Sequence, residues 1–522
     1  MGLSMRTAVL IYAGSMTEQA LVPLGGGPSA LERVLSFAGA IPDSLGCRLL
    51  QGSLELPATA CQVIRRQAWT DAAVLEEAQA FCASLGEPPE ALVLVKGDEP
   101  FLDLELTLKM LAAHRRYRAE YSFADGYPAG LAPEIVHPRI LPALQALAAK
   151  SPRPPARDWL FTVIQGDINS FDIETEISPK DLRDRRIVLA CDTKRNLLLV
   201  ERFLAAGLRN AATALDMIPS HPELARTLPA FVAVQVVGGC LQTCALCPWP
   251  ALGAAAGLGV LERRDSMPLA RFDALMGGLS AFSGDAVVDL SLWGEPSLHP
   301  EFPQLVDAVL SKPGLSLIVE TSGLGWGPGV LEAIAARHPD RIDWIVSLDA
   351  ASPEMYQKLR GEGWTEAQAC VDRLLSLWPQ QTHPQMLRTT DNEEELEAFW
   401  RGWKKRSDKV IVQKYSRFAA LLPERKVADL SPLVRKTCWH LARDLAVLID
   451  GGVPPCRELT RDTGSLGNLF RGLSSEDPGT PAFFESALAR IWESGAAMHA
   501  AHCSGDLPET CRECDEYYTY NA

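Results

Sequence analysis

Three cysteines, Cys240, Cys244 and Cys247, stand in the run GGCLQTCALCPWP with the spacing C-x3-C-x2-C. Gly238 and Gly239 before them let the backbone turn sharply, so three thiolates can converge on one group. The count discriminates. A structural zinc site closes with four ligands, and an ordinary 4Fe-4S cluster takes four cysteines. Three thiolates on four irons leave one iron open to a small molecule; a zinc knuckle that borrows a distant ligand is the other reading. A second set lies near the end of the sequence. Cys438, Cys456, Cys511 and Cys514, the last two as C-x2-C, make four thiolates, enough to close one 4Fe-4S or zinc site. Cys503 is read as a non-ligand.

The elements that must position these groups follow from apolar patterning. FVAVQVVGG, AVVDLSLWG, LSLIVETSG, DWIVSLDA, PQMLRTT and KVIVQKYS are short, β-branched-rich runs that end in small or polar residues. A series of strand then helix predicts a βα barrel or half-barrel, whose ligand-bearing loops gather at the carboxyl ends of the strands. Ahead of it, TAVLIYAG, EALVLVKG and RRIVLACD alternate with the helical patterns AVLEEAQAFCASL and LTLKMLAAHRRYRAEY. That alternation predicts an α/β segment with a mostly parallel sheet. The Pro-bearing MIPSHPELARTLPA and the stretch LPERKVADLSP read as linkers, dividing the chain into 1–226, 227–425 and 426–522. The last segment is small, Cys-rich and loop-rich.

Composition narrows the class. The chain has 522 residues, 47% hydrophobic and 22% charged, a globular balance that excludes disordered and collagen-like classes. Lys plus Arg is 50 against 65 for Asp plus Glu, a net −15, which argues against broad nucleic-acid or anionic-membrane binding. No apolar run approaches the ~20 residues of a membrane span, and no signal peptide is legible, so a cytoplasmic location is expected. Thirteen cysteines in such a chain are expected to stay reduced rather than pair as disulfides.

The trio and the motifs behind it resemble the radical S-adenosylmethionine (SAM) superfamily. Trp293-Gly294-Glu295-Pro296 resembles the family's Gly-Gly-Glu-Pro, which lies beside the methionine amino group. Glu320-Thr321-Ser322-Gly323 resembles its Thr-Asn-Gly. Ser347-Leu348-Asp349-Ala350, followed by Tyr356 and Arg360-Gly361, resembles its Ser-x-Asp-x and Arg-Gly segments. The resemblance implies that SAM ligates the fourth iron and is cleaved reductively to a 5′-deoxyadenosyl radical. It also implies that Gly294, Glu295, Pro296, Ser322, Ser347 and Asp349 seat SAM. Leu246 stands where the family carries an aromatic residue, and Trp249 is the alternative adenine contact.

The last segment resembles the SPASM/twitch extension of such enzymes. The matching features are the spacing from Cys438 through Gly451 to Cys456, then Gly467-Asn468, Ile491-Trp492 and the terminal C-x2-C. Five cysteines in place of seven imply one auxiliary 4Fe-4S cluster, with zinc as the alternative. Such a cluster accepts an electron or supports the substrate. The first segment resembles the nucleotidyltransferase fold of sugar cytidylyltransferases, with a loop at Leu24-Gly25-Gly26-Gly27 and with Asp98 and Asp192 matching the Mg²⁺-holding aspartates. Gly14 to Leu24 carries no basic residue to grip a triphosphate, so a degenerate domain that binds a nucleotide-sugar or another partner is expected. The three-part order resembles the spiro-SPASM family. The implied protein is a radical SAM oxidoreductase or modifying enzyme, acting on a peptide or a sugar- or nucleotide-linked compound and fed by an electron donor such as flavodoxin or ferredoxin. The alternative is a sugar nucleotidyltransferase with a structural or redox metal-binding C-terminal half.

Overall fold

A computed structural model of the chain describes residues 5–250, 265–428, 431–459 and 465–518; Asp429 and Leu430 of the second expected linker lie outside them. The residues divide into two compact units, Met1–Ala225 and Arg226–Ala522. Among the described residues no helix is long and apolar enough to cross a membrane.

The first unit is built on Thr7–Ala13 (β1), buried along its whole length. TAVLIYA is almost wholly apolar because a central strand of such a sheet is covered on both faces. Around it lie Ser44–Gln51 (β2), Gln62–Arg65 (β3), Ala91–Lys96 (β4), Tyr121–Asp125 (β5), Glu134–Val136 (β6) and Ile173–Ile177 (β7). The order is β3-β2-β1-β4-β6-β5-β7, and only β6 runs antiparallel to its neighbours. The two expected helices form at Asp71–Ser84 and Leu104–Tyr117, with Thr70 and Asp103 accepting first-turn N–H groups.

Two expectations are corrected here. RRIVLACD forms no strand: Val188 makes one isolated bridge to Ala129, and Arg186, at φ 52°, turns the backbone out of the extended region. Cys47 and Cys61 are joined as a disulfide rather than left as free thiols. The parallel pairing of β2 with β3 brings the two residues side by side, with Cα atoms 4.9 Å apart.

The second unit holds a curled, half-barrel sheet of seven parallel strands. These are Phe231–Val234 (β8), Ala286–Asp289 (β9), Leu315–Thr321 (β10), Ile342–Ser347 (β11), Thr382–Arg388 (β12), Ile411–Lys414 (β13) and Asp444–Val447 (β14). Their order is β13-β12-β11-β10-β9-β8-β14. The six strands expected from 231 to 416 all form. A seventh strand, β14, extends the sheet beyond β8, in register Val447↔Val234. Strand alternation sorts the residues: Leu317 and Val319 of β10 enter the core beneath the helices, and Glu320 between Val319 and Thr321 takes the opposite face.

The C-terminal segment is anchored by helix contact as well. Helix Pro481–Ser494 lies against helix Leu269–Ser283 at Gly277 and Gly278. A Cβ at Gly278 would stand 2.5 Å from Phe484 Cβ, so this approach requires glycine. Arg226 adds a second tie, stacking 3.9 Å over the Trp492 ring and donating to the Leu441 carbonyl at 3.1 Å.

Candidate functional site

The cysteine trio sits on the loop that leaves β8. The loop carrying Trp293, Gly294 and Glu295 lies directly on it: Glu295 N–H donates to Gly239 O at 2.8 Å, and a Cβ on Gly294 would meet Val237 O at 2.0 Å. Only glycine permits that contact. Cys240, Cys244 and Cys247 line a cavity of about 220 Å³ together with Gly294, Glu295, Ser322 and Ser347. These seven of the nine trio and SAM-seating residues share one wall.

Pro296 and Asp349 do not reach that wall. Pro296 opens the short helical turn Pro296–Leu298. Asp349 is fully buried at φ 59°, where its carboxylate accepts Arg360 Nη1 at 2.6 Å and Leu387 N–H at 2.8 Å. It holds Arg360, which does line the cavity. Arg360 Nε is buried with no partner. Burial works against its charge, but Cys244 and Asp349 beside it raise its pKa well above the usual value.

Glu295 is tied to the end of β10. It accepts Thr321 Oγ1 at 2.6 Å, Ser322 N–H at 2.8 Å and Ser322 Oγ at 2.6 Å. Burial pushes its carboxyl up, against the pull of those bonds. Burial also pushes Cys240 and Cys247 up to about 12, helped by Glu295 at Cys240 and by Cys244 at Cys247. Leu246 lines the cavity but packs with Leu359, Tyr415 and Leu422, while Trp249 stacks on Trp293 with ring centroids 6.4 Å apart.

Sequence reading missed the inner wall. Ser347 Oγ donates to Glu320 Oε1 at 2.6 Å, and Gln385 Nε2 donates to the same oxygen at 2.8 Å. Asp289 lines the cavity with its carboxyl pushed up to about 6 by burial and by Glu320. Lys414 and Arg457 add positive charge to the lining. The signal was present in Lys414, a charged residue that closes the strand Ile411–Lys414; Gln385 lies mid-strand in Thr382–Arg388 and stands behind the lining, bonded to Glu320.

The four C-terminal cysteines also come together. Cys438, Cys456, Cys511 and Cys514 line a second cavity of about 20 Å³. Burial raises all four thiols, Cys438 and Cys514 to about 12. Arg435 fixes the C-x2-C loop by donating to Cys511 O at 2.7 Å and Cys514 O at 3.0 Å. Glu516 borders both cavities, and Cys503 borders neither.

Both sets suit an iron–sulfur group by donor chemistry. Buried thiols that hold their protons this firmly ionise only against strong positive charge, which bound iron supplies. Among the described residues, no three His, Cys, Asp or Glu side chains are placed to hold a single ion.

In the first unit, Asp98 and Asp192 are brought together around a guanidinium. Arg157 Nη2 lies 3.0 Å from Asp98 and 2.7 Å from Asp192, and Arg157 Nη1 lies 2.8 Å from Glu99. Despite burial, Arg157 draws Asp192 below its usual pKa.

No family model matches the chain. An uncharacterised protein of Treponema pallidum (strain Nichols) is 36% identical over 379 residues, covering 70% of this chain and 98% of the relative. The chain belongs to the family of that treponemal protein. A PqqA peptide cyclase of Ruegeria pomeroyi is 27% identical over 320 residues, 56% of this chain and 82% of the relative. Among solved structures, Streptococcus suis SuiB bound to the precursor peptide SuiA aligns with a TM-score of 0.38 at 12% identity, over 53% of this chain and 74% of that one.

Proposed function

We propose that the chain is a radical SAM enzyme whose 4Fe-4S cluster is held by Cys240, Cys244 and Cys247. Those three thiolates would hold the cluster with SAM beside it, and the pair would supply reductive cleavage of SAM and hydrogen abstraction from a substrate carbon. One observation carries the reading: the three thiols and the Gly294–Glu295 loop line one cavity at the carboxyl ends of parallel strands. The likeness to a PqqA peptide cyclase supports it.

The chain's own groups have definable tasks. Glu295, steadied by Thr321 and Ser322, offers a fixed carboxylate to the SAM amino group. Arg360, held by Asp349, sets a positive charge beside Cys244, where it would meet the carboxylate of a bound SAM. Trp249 and Trp293 offer an aromatic wall for the adenine. The lining groups Ser347 and Glu320, the latter held from behind by Gln385, with Lys414 and Arg457, suit a polar substrate such as a peptide. Cys438, Cys456, Cys511 and Cys514 hold the auxiliary cluster, which takes an electron or supports the substrate.

The nucleotidyltransferase reading is disfavoured by Arg157, whose guanidinium already pairs with both carboxylates a Mg²⁺ ion would need. The first unit is proposed as a binding module. Oxygen-free reconstitution is expected to give about eight irons per chain for two 4Fe-4S clusters. Dithionite and SAM then yield 5′-deoxyadenosine, and Cys244→Ala abolishes that product. A Cys244→Ala protein that still makes it contradicts the assignment.

A further inference from the structure

Two histidines border the C-terminal four-thiol cavity and have no task in the account so far. His440 is 6% exposed and His502 is 5% exposed. His440 Nδ1 pairs with the Asp444 carboxylate, which leaves Nε2 buried without a partner. Both ring nitrogens of His502 are buried without a partner. Three imidazole nitrogens around one cavity therefore meet nothing in the protein. Buried polar atoms seldom stay unsatisfied, because the desolvation cost is then uncompensated. Both histidines line the cavity that the four thiols line, and His440 also lines the small cavity beside Asp444, so His502 is the one whose unmet nitrogens have only the thiol cavity beside them among the cavities described.

Helix geometry delivers His502 to this wall. In helix Ala496–Ser504, Met498 and His502 are four residues apart, share a face and line the cavity. His499 and Cys503, one position further on, share the next face, where Cys503 Sγ lies 3.8 Å from His499 Nδ1. The helix thus turns an imidazole toward the cavity and the neighbouring thiol away from it.

The two histidines differ in what they can offer. An Nδ1–H committed to Asp444 makes His440 Nε2 a lone pair in the neutral ring, an acceptor. His502 has no such commitment, and either tautomer of its neutral ring carries an N–H to give. Resting on the auxiliary-cluster reading above, we propose that His502 donates an N–H hydrogen bond to a sulfur of the group held by Cys438, Cys456, Cys511 and Cys514. Hydrogen bonds to cluster sulfurs stabilise the more negative, reduced state, so His502 sets the potential of this site upward. It is a positioning and tuning residue, acting through the thiolate set.

The test uses the full chain carrying Cys240→Ala, Cys244→Ala and Cys247→Ala, reconstituted with iron and sulfide without oxygen, so that only the C-terminal group reports. About four irons are expected. Pulsed EPR of the reduced protein shows a weak imidazole ¹⁴N coupling. His502→Leu keeps the iron, loses that coupling and lowers the reduction potential. His502→Gln, which keeps a donor but no imidazole, loses the coupling and holds the potential near the parent value; it decides the matter if His502→Leu fails to fold. Cys503→Ser changes neither readout. Retained iron with unchanged coupling and potential in the His502 variants overturns the inference and leaves the auxiliary cluster standing. Strong coupling of the kind a direct iron–nitrogen bond gives overturns the hydrogen-bond assignment. A triple variant that binds no iron overturns the auxiliary-cluster reading and this inference with it.

Discussion

At the scale of single residues, Asp349 holds Arg360 and does not line the cavity. Its carboxylate is fully buried and spends one oxygen on the guanidinium and the other on the Leu387 N–H. Asp349→Asn keeps the shape but withdraws the countercharge. SAM cleavage is expected to fall about 10–100-fold, as when a supporting group behind a ligand is lost, while iron content holds. Iron lost in parallel with activity would assign Asp349 to cluster assembly instead. Arg157 gives a stability counterpart in the first unit. Arg157→Ala strands Asp98, Glu99 and Asp192 without their cation, and a loss of about 2–3 kcal/mol is expected by chemical denaturation. An unchanged midpoint would mean that water already screens the trio. The motif around Asp349 was legible in the sequence; its inward turn was not, because the positive φ at that position is set by the packing around it.

At the scale of elements, the close crossing of helices Leu269–Ser283 and Pro481–Ser494 ties the Cys-rich end of the chain to the half-barrel. Gly278→Leu forces a side chain into Phe484 and is expected to cost about 3 kcal/mol, read as a lower melting temperature of the reconstituted protein. A melting temperature equal to the parent's would show that the crossing yields easily. Helix Leu104–Tyr117 gives a pH signature. His114 bonds Ser122 Oγ through Nδ1 at 2.7 Å, and burial, with His137 and Arg139 nearby, holds it down to about 4. The unfolded chain takes up that proton near pH 6.5, so stability is full above 6.5 and drains away as pH falls toward 4, by on the order of 2 kcal/mol. His114→Gln should flatten this slope in denaturant titrations at pH 7 and pH 5; an equal slope in both proteins would remove His114 from the account.

The six middle strands were legible because each is a short apolar run with its own period, closed by glycine or polar residues. RRIVLACD looked the same, but Arg186 adopts a left-handed turn and only Val188 pairs, in one bridge to Ala129. The Cys47–Cys61 pair was hidden for a related reason, since it depends on which strands become neighbours. Hidden too was the pairing of Glu320 with Gln385, which follows from strand register rather than from any motif.

At the scale of the whole molecule, the chain joins an α/β unit to a half-barrel unit whose two sets of cysteines line two cavities. The first set has three thiols and the second has four, and that difference of one ligand is the basis of the functional reading. The most direct measurement starts from oxygen-free, cluster-replete protein, adds SAM and dithionite, and follows 5′-deoxyadenosine with the Cys240, Cys244 and Cys247 variants as controls. The account predicts product from the parent, none from any of the three variants, and a cluster spectrum that changes when SAM is added. A cluster spectrum indifferent to SAM, with no 5′-deoxyadenosine formed, would contradict it.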